Sequence, residues 1–210
     1  LTLVSGEPGI GKTRLLAELA RDVDQHGGIV VYGRADDELR IPYLPIVEGL
    51  SYVLGRLPEP GLAGLDRRKL AELARMSPEL ADLLPYIPSA AAAESDADRY
   101  RLFSAVAAVL AGLADQAPVL VIADDLHWAD APTLQLCRHL ADRPLGRVLL
   151  LGAHRDSETT TGPLLRLLTD LPPQTCVTRV TLRGLTPPRP PPSPGLRPGR
   201  TWLSRKAWPG

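Results

Sequence analysis

No run of this sequence stays apolar for the roughly 20 residues that a helix needs to cross a bilayer, and nothing near Leu1 has the layout of a secretory leader. Cysteine is scarce. Cys137 and Cys176 stand far apart at no metal-ligand spacing and read as two reduced thiols of a cytoplasmic protein. Excess charge of one sign is missing too, since 24 basic residues balance 24 acidic ones. That balance is uneven along the chain. Residues 186–210 hold five basic residues and no acidic one, so the neutral total leaves residues 1–185 with a net charge of −5. An acidic body without a helix-turn-helix pattern excludes direct nucleic-acid binding by the folded part. Eight of the last 25 residues are proline, clustered around Pro187–Pro192, and such a stretch neither pairs in a sheet nor continues a helix. It reads as a disordered Pro/Arg-rich tail, out-of-frame translation being one origin for it. A polyproline or basic partner-binding arm is the other reading.

What is present points to one domain over residues 1–185. The length suits a single sizeable core, and an apolar content of 44% is ordinary for a globular protein. Its most informative stretch is Gly6-Glu7-Pro8-Gly9-Ile10-Gly11-Lys12-Thr13, which fits G-x-x-x-x-G-K-[ST]. The apolar run Leu1–Val4 precedes it as a strand, and Leu15, Leu16, Leu19 and Val23 follow with helical spacing. Strand, glycine-rich loop and helix are what phosphate binding needs. Backbone N–H groups and the positive helix end face the anion. Lys12 can reach the β- and γ-phosphates, and the Thr13 hydroxyl can ligate Mg²⁺.

Strands then alternate with helices. Runs at 29–33, 119–123, 148–152 and 177–182 read as strands. Helical patterns lie at 44–57, 66–76, 78–84, from Ser95 or Asp96 to Leu113, 131–141 and 163–171. Residues 34–42 read as a loop. This order predicts a parallel α/β sheet.

The run Val119–Ala123 leads into Asp124-Asp125. In a parallel sheet the ligand sits beyond the carboxyl ends of the strands, so an acid there can hold Mg²⁺ and a second can orient the attacking water. Asp124 is assigned the metal and Asp125 the water, with the swap open. His127 could sense phosphate, although a structural role is the simpler reading, as packing is for Trp128 and helix capping for Asp130. Arg155 follows the strand at 148–152, where it could stabilise charge on the γ-phosphate or simply be an exposed loop arginine.

Residues 1–16, 119–141 and 148–158 together resemble the signal-transduction ATPases with numerous domains, the STAND branch near AAA+. The wording Asp124-Asp125-Leu126-His127-Trp128-Ala129-Asp130 is especially close to the ATPase module of large LuxR-type transcriptional regulators, a module also found beside bacterial nucleotide cyclases and some protein kinases. The resemblance implies a P-loop NTPase fold of the ASCE/AAA-like kind, a five-stranded parallel sheet sandwiched by helices with the phosphate-loop strand at its centre. It implies an ATP-dependent switch using ATP and Mg²⁺. Lys12 and Thr13 take the Walker A positions, Asp124 and Asp125 the Walker B positions, and Arg155 the sensor-1 position. Members usually carry a Gly-Arg-Glu segment upstream and a helical lid, repeats and often a helix-turn-helix downstream. None of these is in this sequence, so the chain is expected to be an N-terminally truncated piece of a longer protein.

The expected function is that of an ATP-binding, slowly hydrolysing signalling module of a bacterial regulator, with self-association on ATP binding as one mode of action. A non-hydrolysing nucleotide switch or pseudo-ATPase is the alternative. A P-loop small-molecule kinase is a third reading, disfavoured because the basic segment after residue 185 is too proline-rich for a folded lid.

Overall fold

The computed structural model describes residues 1–38, 41–75, 78–83, 95–156, 163–170 and 177–184. Five strands form one all-parallel sheet: β1 (Thr2–Gly6), β2 (Ile29–Arg34), β3 (Val119–Asp124), β4 (Val148–Arg155) and β5 (Thr178–Thr181). Their order is β2-β3-β4-β1-β5. The α/β class and strand number are as expected. The phosphate-loop strand is interior, between β4 and β5, but the central strand is β4. The reason lies in the connections, because the chain leaves β1 for the far edge of the sheet and returns strand by strand.

Alternation of side chains along the strands assigns the two faces. On β3, Val121 packs with Val31, Ile46 and Val106, while Leu120 and Ile122 pack with Leu16 from the first helix, α1 (Lys12–Gln25). Among the described residues α1 is the helix on that second face. Leu149 and Val180, whose register places them there beyond its reach, stay 44% and 38% exposed. Within α1 the buried stripe is Leu16, Leu19, Ala20 and Val23. Leu15, which the spacing had included, points outward at 43% exposure.

The other face carries α2 (Leu44–Leu54), the short α3 (Glu59–Ala63), α4 (Arg67–Leu73) and α5 (Pro78–Leu83). With them lie α6 (Asp96–Gln116), α7 (Ala131–Ala141) and α8 (Pro163–Asp170). The α6 side chain that joins Val106, Val109, Leu110 and Leu113 in the core is Phe103, with Leu102 only partly buried. Ser95 caps α6 by accepting from the Asp98 N–H, and Asp130 caps α7 by accepting from the Thr133 N–H. Two prolines start α3, with Pro58 at its N-cap and Pro60 in its first turn, where a missing N–H costs nothing. Helix α2 ends three residues earlier than its pattern suggests, at Leu54, with Gly55 as its C-cap.

Where α2 crosses β2 the backbones nearly touch. A Cβ on Gly33 would lie 1.8 Å from the Pro45 carbonyl oxygen, so only glycine fits there. The chain thus leaves β1 on one face and β4 on the other. The crevice this opens at the strand ends is where ligands bind in open α/β sheets. Residues 185–210, with the Pro/Arg-rich segment, lie outside the described residues.

Candidate functional site

Gly6 pairs in register with Arg155, and Arg34 pairs with Asp124. The parallel sheet therefore delivers the ends of β1, β2, β3 and β4 to one level, and every residue of the site is on or just past one of those ends.

The loop between β1 and α1 turns on Gly9 and Gly11, with φ of 76° and 104°. A Cβ at either would meet nothing within 4 Å, so the requirement there is conformational, since L side chains rarely adopt such φ values. Lys12 opens α1, and its ammonium folds back into the loop. It donates to the Gly6 carbonyl at 2.9 Å and to the Glu7 carbonyl at 3.0 Å. The side chain is buried, and these two bonds satisfy a charge that would otherwise be costly to bury. Pro8 and Ile10 shape the same loop, Ile10 donating its N–H to the Glu7 carbonyl.

Thr13 and Asp124 are 111 residues apart and meet directly, the Thr13 hydroxyl donating to Asp124 Oδ2 at 2.8 Å. The fold explains this contact. Asp124 shares the face of Leu120 and Ile122, which is the face that α1 covers, and Thr13 lies in the first turn of α1. Asp124 is fully buried. Its Oδ1 accepts from the Asp125 N–H at 2.9 Å, and Oδ2 also lies 3.4 Å from the Tyr32 hydroxyl. Burial first, then the Asp124 charge, raise the Tyr32 phenol above its ordinary value.

Asp125 takes a left-handed conformation, φ 53° and ψ 41°, uncommon outside glycine but tolerated by aspartate. The twist turns its carboxylate toward β2, where Oδ2 accepts from Arg34 Nε at 2.7 Å. That bond, and the Asp125 charge behind it, raise the Arg34 guanidinium above its ordinary value. His127 is buried, with Nε2 3.9 Å from Asp125 Oδ1, too long for a hydrogen bond. Its ring packs at 4.6 Å on Trp128, which fits the structural reading better than the catalytic one. Strand β4 runs on to Arg155, three residues past its expected end, so Arg155 is the last residue of a strand and not a loop residue. Its guanidinium lies 4.8 Å from the Trp128 ring centre.

The fold gathers Gly6–Thr13, Asp124, Asp125 and Arg155, which the sequence pattern singles out, at the carboxyl ends of the strands. The pattern does not single out Tyr32 and Arg34, which lie with them. The polar run after Arg34 assigns it to the loop at 34–42, and Tyr32 reads as an ordinary strand residue.

The donor set suits a magnesium ion shared with phosphates. Among the described residues no three His, Cys, Asp or Glu side chains group to hold a metal by themselves. Mg²⁺ takes one or two carboxylates and fills its octahedron with water and phosphate oxygens. A buried carboxylate beside a threonine hydroxyl at the mouth of a phosphate loop offers that minimum. Among the described residues no helix is long and apolar enough to cross a membrane.

Residues 1–151 match the family model of the AAA ATPase domain. The match takes in the loop, both acids, Tyr32 and Arg34, and stops within β4 before Arg155. No curated protein matches the chain.

Proposed function

This chain belongs to the AAA ATPase domain family, and from that membership we propose that it is an ATP-dependent signalling module of a bacterial regulator, of the LuxR-type STAND kind. The observation that carries the nucleotide reading is the 2.8 Å contact between Thr13 and Asp124, which joins the two halves of a magnesium site across the sheet. The backbone N–H groups of Gly9 to Thr13 take the phosphates, and Lys12 turns its ammonium from the Gly6 and Glu7 carbonyls toward the β- and γ-oxygens. Thr13 and Asp124 hold Mg²⁺, which when bound neutralises charge on the phosphates. Asp125 orients the attacking water, and Arg155 meets the γ-phosphate from β4.

In this reading residues 1–185 form the ATPase unit of a longer cytoplasmic protein whose lid, repeats and DNA-binding part belong to other segments. ATP acts by favouring one conformation over another, and slow hydrolysis resets the module. One observation favours the alternative of a switch without turnover: Asp125 Oδ2 accepts from the Arg34 guanidinium, which draws charge from the carboxylate and makes it a weaker acceptor for a water.

The test is equilibrium binding of Mg-ATP to the chain and to Lys12→Ala, followed by turnover in the chain and in Asp125→Asn. Saturable binding lost in Lys12→Ala supports the site, and turnover lost in Asp125→Asn supports hydrolysis. Binding that is indifferent to Lys12 would refute the nucleotide reading. Binding without turnover in either protein would leave the non-hydrolysing switch.

A further inference from the structure

Trp128 closes the single 3-10 turn Leu126–Trp128 that follows the two acids, and two cationic side chains converge on its indole. The Arg155 guanidinium carbon is 4.8 Å from the ring centre and that of Arg34 is 6.0 Å away. Both fall within the range at which a guanidinium is attracted to the negative face of an aromatic ring, and tryptophan is the strongest partner. The two arginines come from β4 and β2, the strands on either side of β3. Arg34 in turn holds Asp125. The His127 ring, tilted 46° to the indole, packs on it and fixes the turn. One ring therefore links Arg155 of β4 with Arg34 of β2 and, through Arg34, with Asp125 just past β3.

Filling apolar space does not account for this arrangement. Trp128 is only partly buried, and none of the core clusters includes it. An arginine on a flexible stem gains from a ring that restricts its rotamers before ligand arrives. The same ring competes with an incoming phosphate for the guanidinium.

We propose that Trp128 is a positioning residue of the nucleotide site, its indole holding Arg155 where a γ-phosphate can draw it away and relaying that movement through Arg34 to Asp125. This rests on the reading of the chain as an ATP-binding module. Its consequence is discrimination. ATP, which has a γ-phosphate, takes Arg155 from the ring, and ADP leaves it there.

The experiment uses the full chain with Trp202→Phe and Trp208→Phe, so that Trp128 is the sole indole. Kd values for Mg-ATP and Mg-ADP are measured by competition against a fluorescent nucleotide, and Trp128 emission is followed through each titration. Trp128→Leu should raise the preference for ATP over ADP by about 5- to 30-fold, the worth of one partly desolvated cation–π contact that ATP then no longer has to break. ADP affinity should stay within about threefold, and Trp128→Phe should bring the preference most of the way back to that of the unsubstituted ring because it keeps a π face. ATP but not ADP should shift Trp128 emission, and Arg155→Gln should abolish that shift. An unchanged or lowered preference in Trp128→Leu, or no return toward the original value in Trp128→Phe, would overturn the inference. Should Trp128→Leu not fold, the emission decides, since a shift that survives Arg155→Gln also overturns it. Absence of all nucleotide binding in the unsubstituted chain would refute the nucleotide reading and this inference together. Binding with an unaltered preference would refute the inference alone.

Discussion

Replacing Asp124 by asparagine separates what this carboxylate does for the fold from what it does for the site. The side chain is fully buried and accepts three contacts, from the Thr13 hydroxyl, the Tyr32 hydroxyl and the Asp125 N–H. The Arg34 guanidinium pairs with Asp125, not with Asp124. A buried charge held by neutral donors carries a desolvation cost that these bonds offset only in part. An asparagine can keep the contacts, its carbonyl accepting from the Asp125 N–H and its amide donating to the Thr13 oxygen, which a hydroxyl can accept. The exchange loses charge-assisted strength and recovers desolvation, so the net change should be within about 1 kcal/mol. For a chain of this size that is a Tm within about 4 °C of the parent. Asp124→Ala leaves the Asp125 N–H unpaired and opens a gap, and should cost about 2–4 kcal/mol.

The site responds differently. Ligand at a hundred times its Kd adds about 2.7 kcal/mol to a protein that binds it only when folded. In thermal melts with ATP, the parent should gain further stability when Mg²⁺ replaces EDTA, and Asp124→Asn should not. An asparagine variant as unstable as the alanine one would refute the reasoning, because the charge itself would then hold the fold. So would a full Mg²⁺-dependent gain in Asp124→Asn, because the metal would then be held elsewhere.

Three further outcomes follow from the same geometry. Lys12→Ala should weaken Mg-ATP binding at least about 30-fold, the worth of one charged hydrogen bond of about 2 kcal/mol, and calorimetric titration reads it directly. Gly33→Ala forces a Cβ against the Pro45 carbonyl oxygen, 1.8 Å away, and should cost about 3 kcal/mol or more, seen as a Tm lower by roughly 6–12 °C. A wild-type Tm in that variant would show that α2 can lift off β2 freely. Burial holds His154 and His139 below the ordinary imidazole value, with Arg143 adding to the effect on His139. Between the folded and unfolded values the unfolded chain binds more protons, so stability is fully present above about pH 6.5 and declines as pH falls. Melts from pH 7 to pH 5 should show that decline, with a shallower slope in His154→Gln; equal slopes would remove His154 from the account.

How far the site could be read from sequence depended on where each residue's determinants lie. Gly6–Thr13 is legible because its chemistry is local: the glycines, the lysine and the hydroxyl lie within eight residues, and the strand and helix that frame them are contiguous. Asp124 and Asp125 are legible at one remove, since a run of apolar residues ending in acids means a strand end only once a parallel sheet is already inferred. Tyr32 and Arg34 carried no such signal. What makes them part of the site is the register that sets Arg34 beside Asp124 and the left-handed turn at Asp125 that swings a carboxylate toward β2. Neither is encoded within a short window. The position of β1 failed for a related reason, because strand order is decided by which face each connection takes, and periodicity reports only that a helix is amphipathic. Trp128 looked like packing because tryptophan usually is. Its two arginines are 94 residues before it and 27 after, and only the sheet brings them to one ring. The glycine-rich loop of this domain is thus written locally in the chain, whereas the side chains that gather around it, Tyr32, Arg34 and Arg155 among them, are assembled by topology.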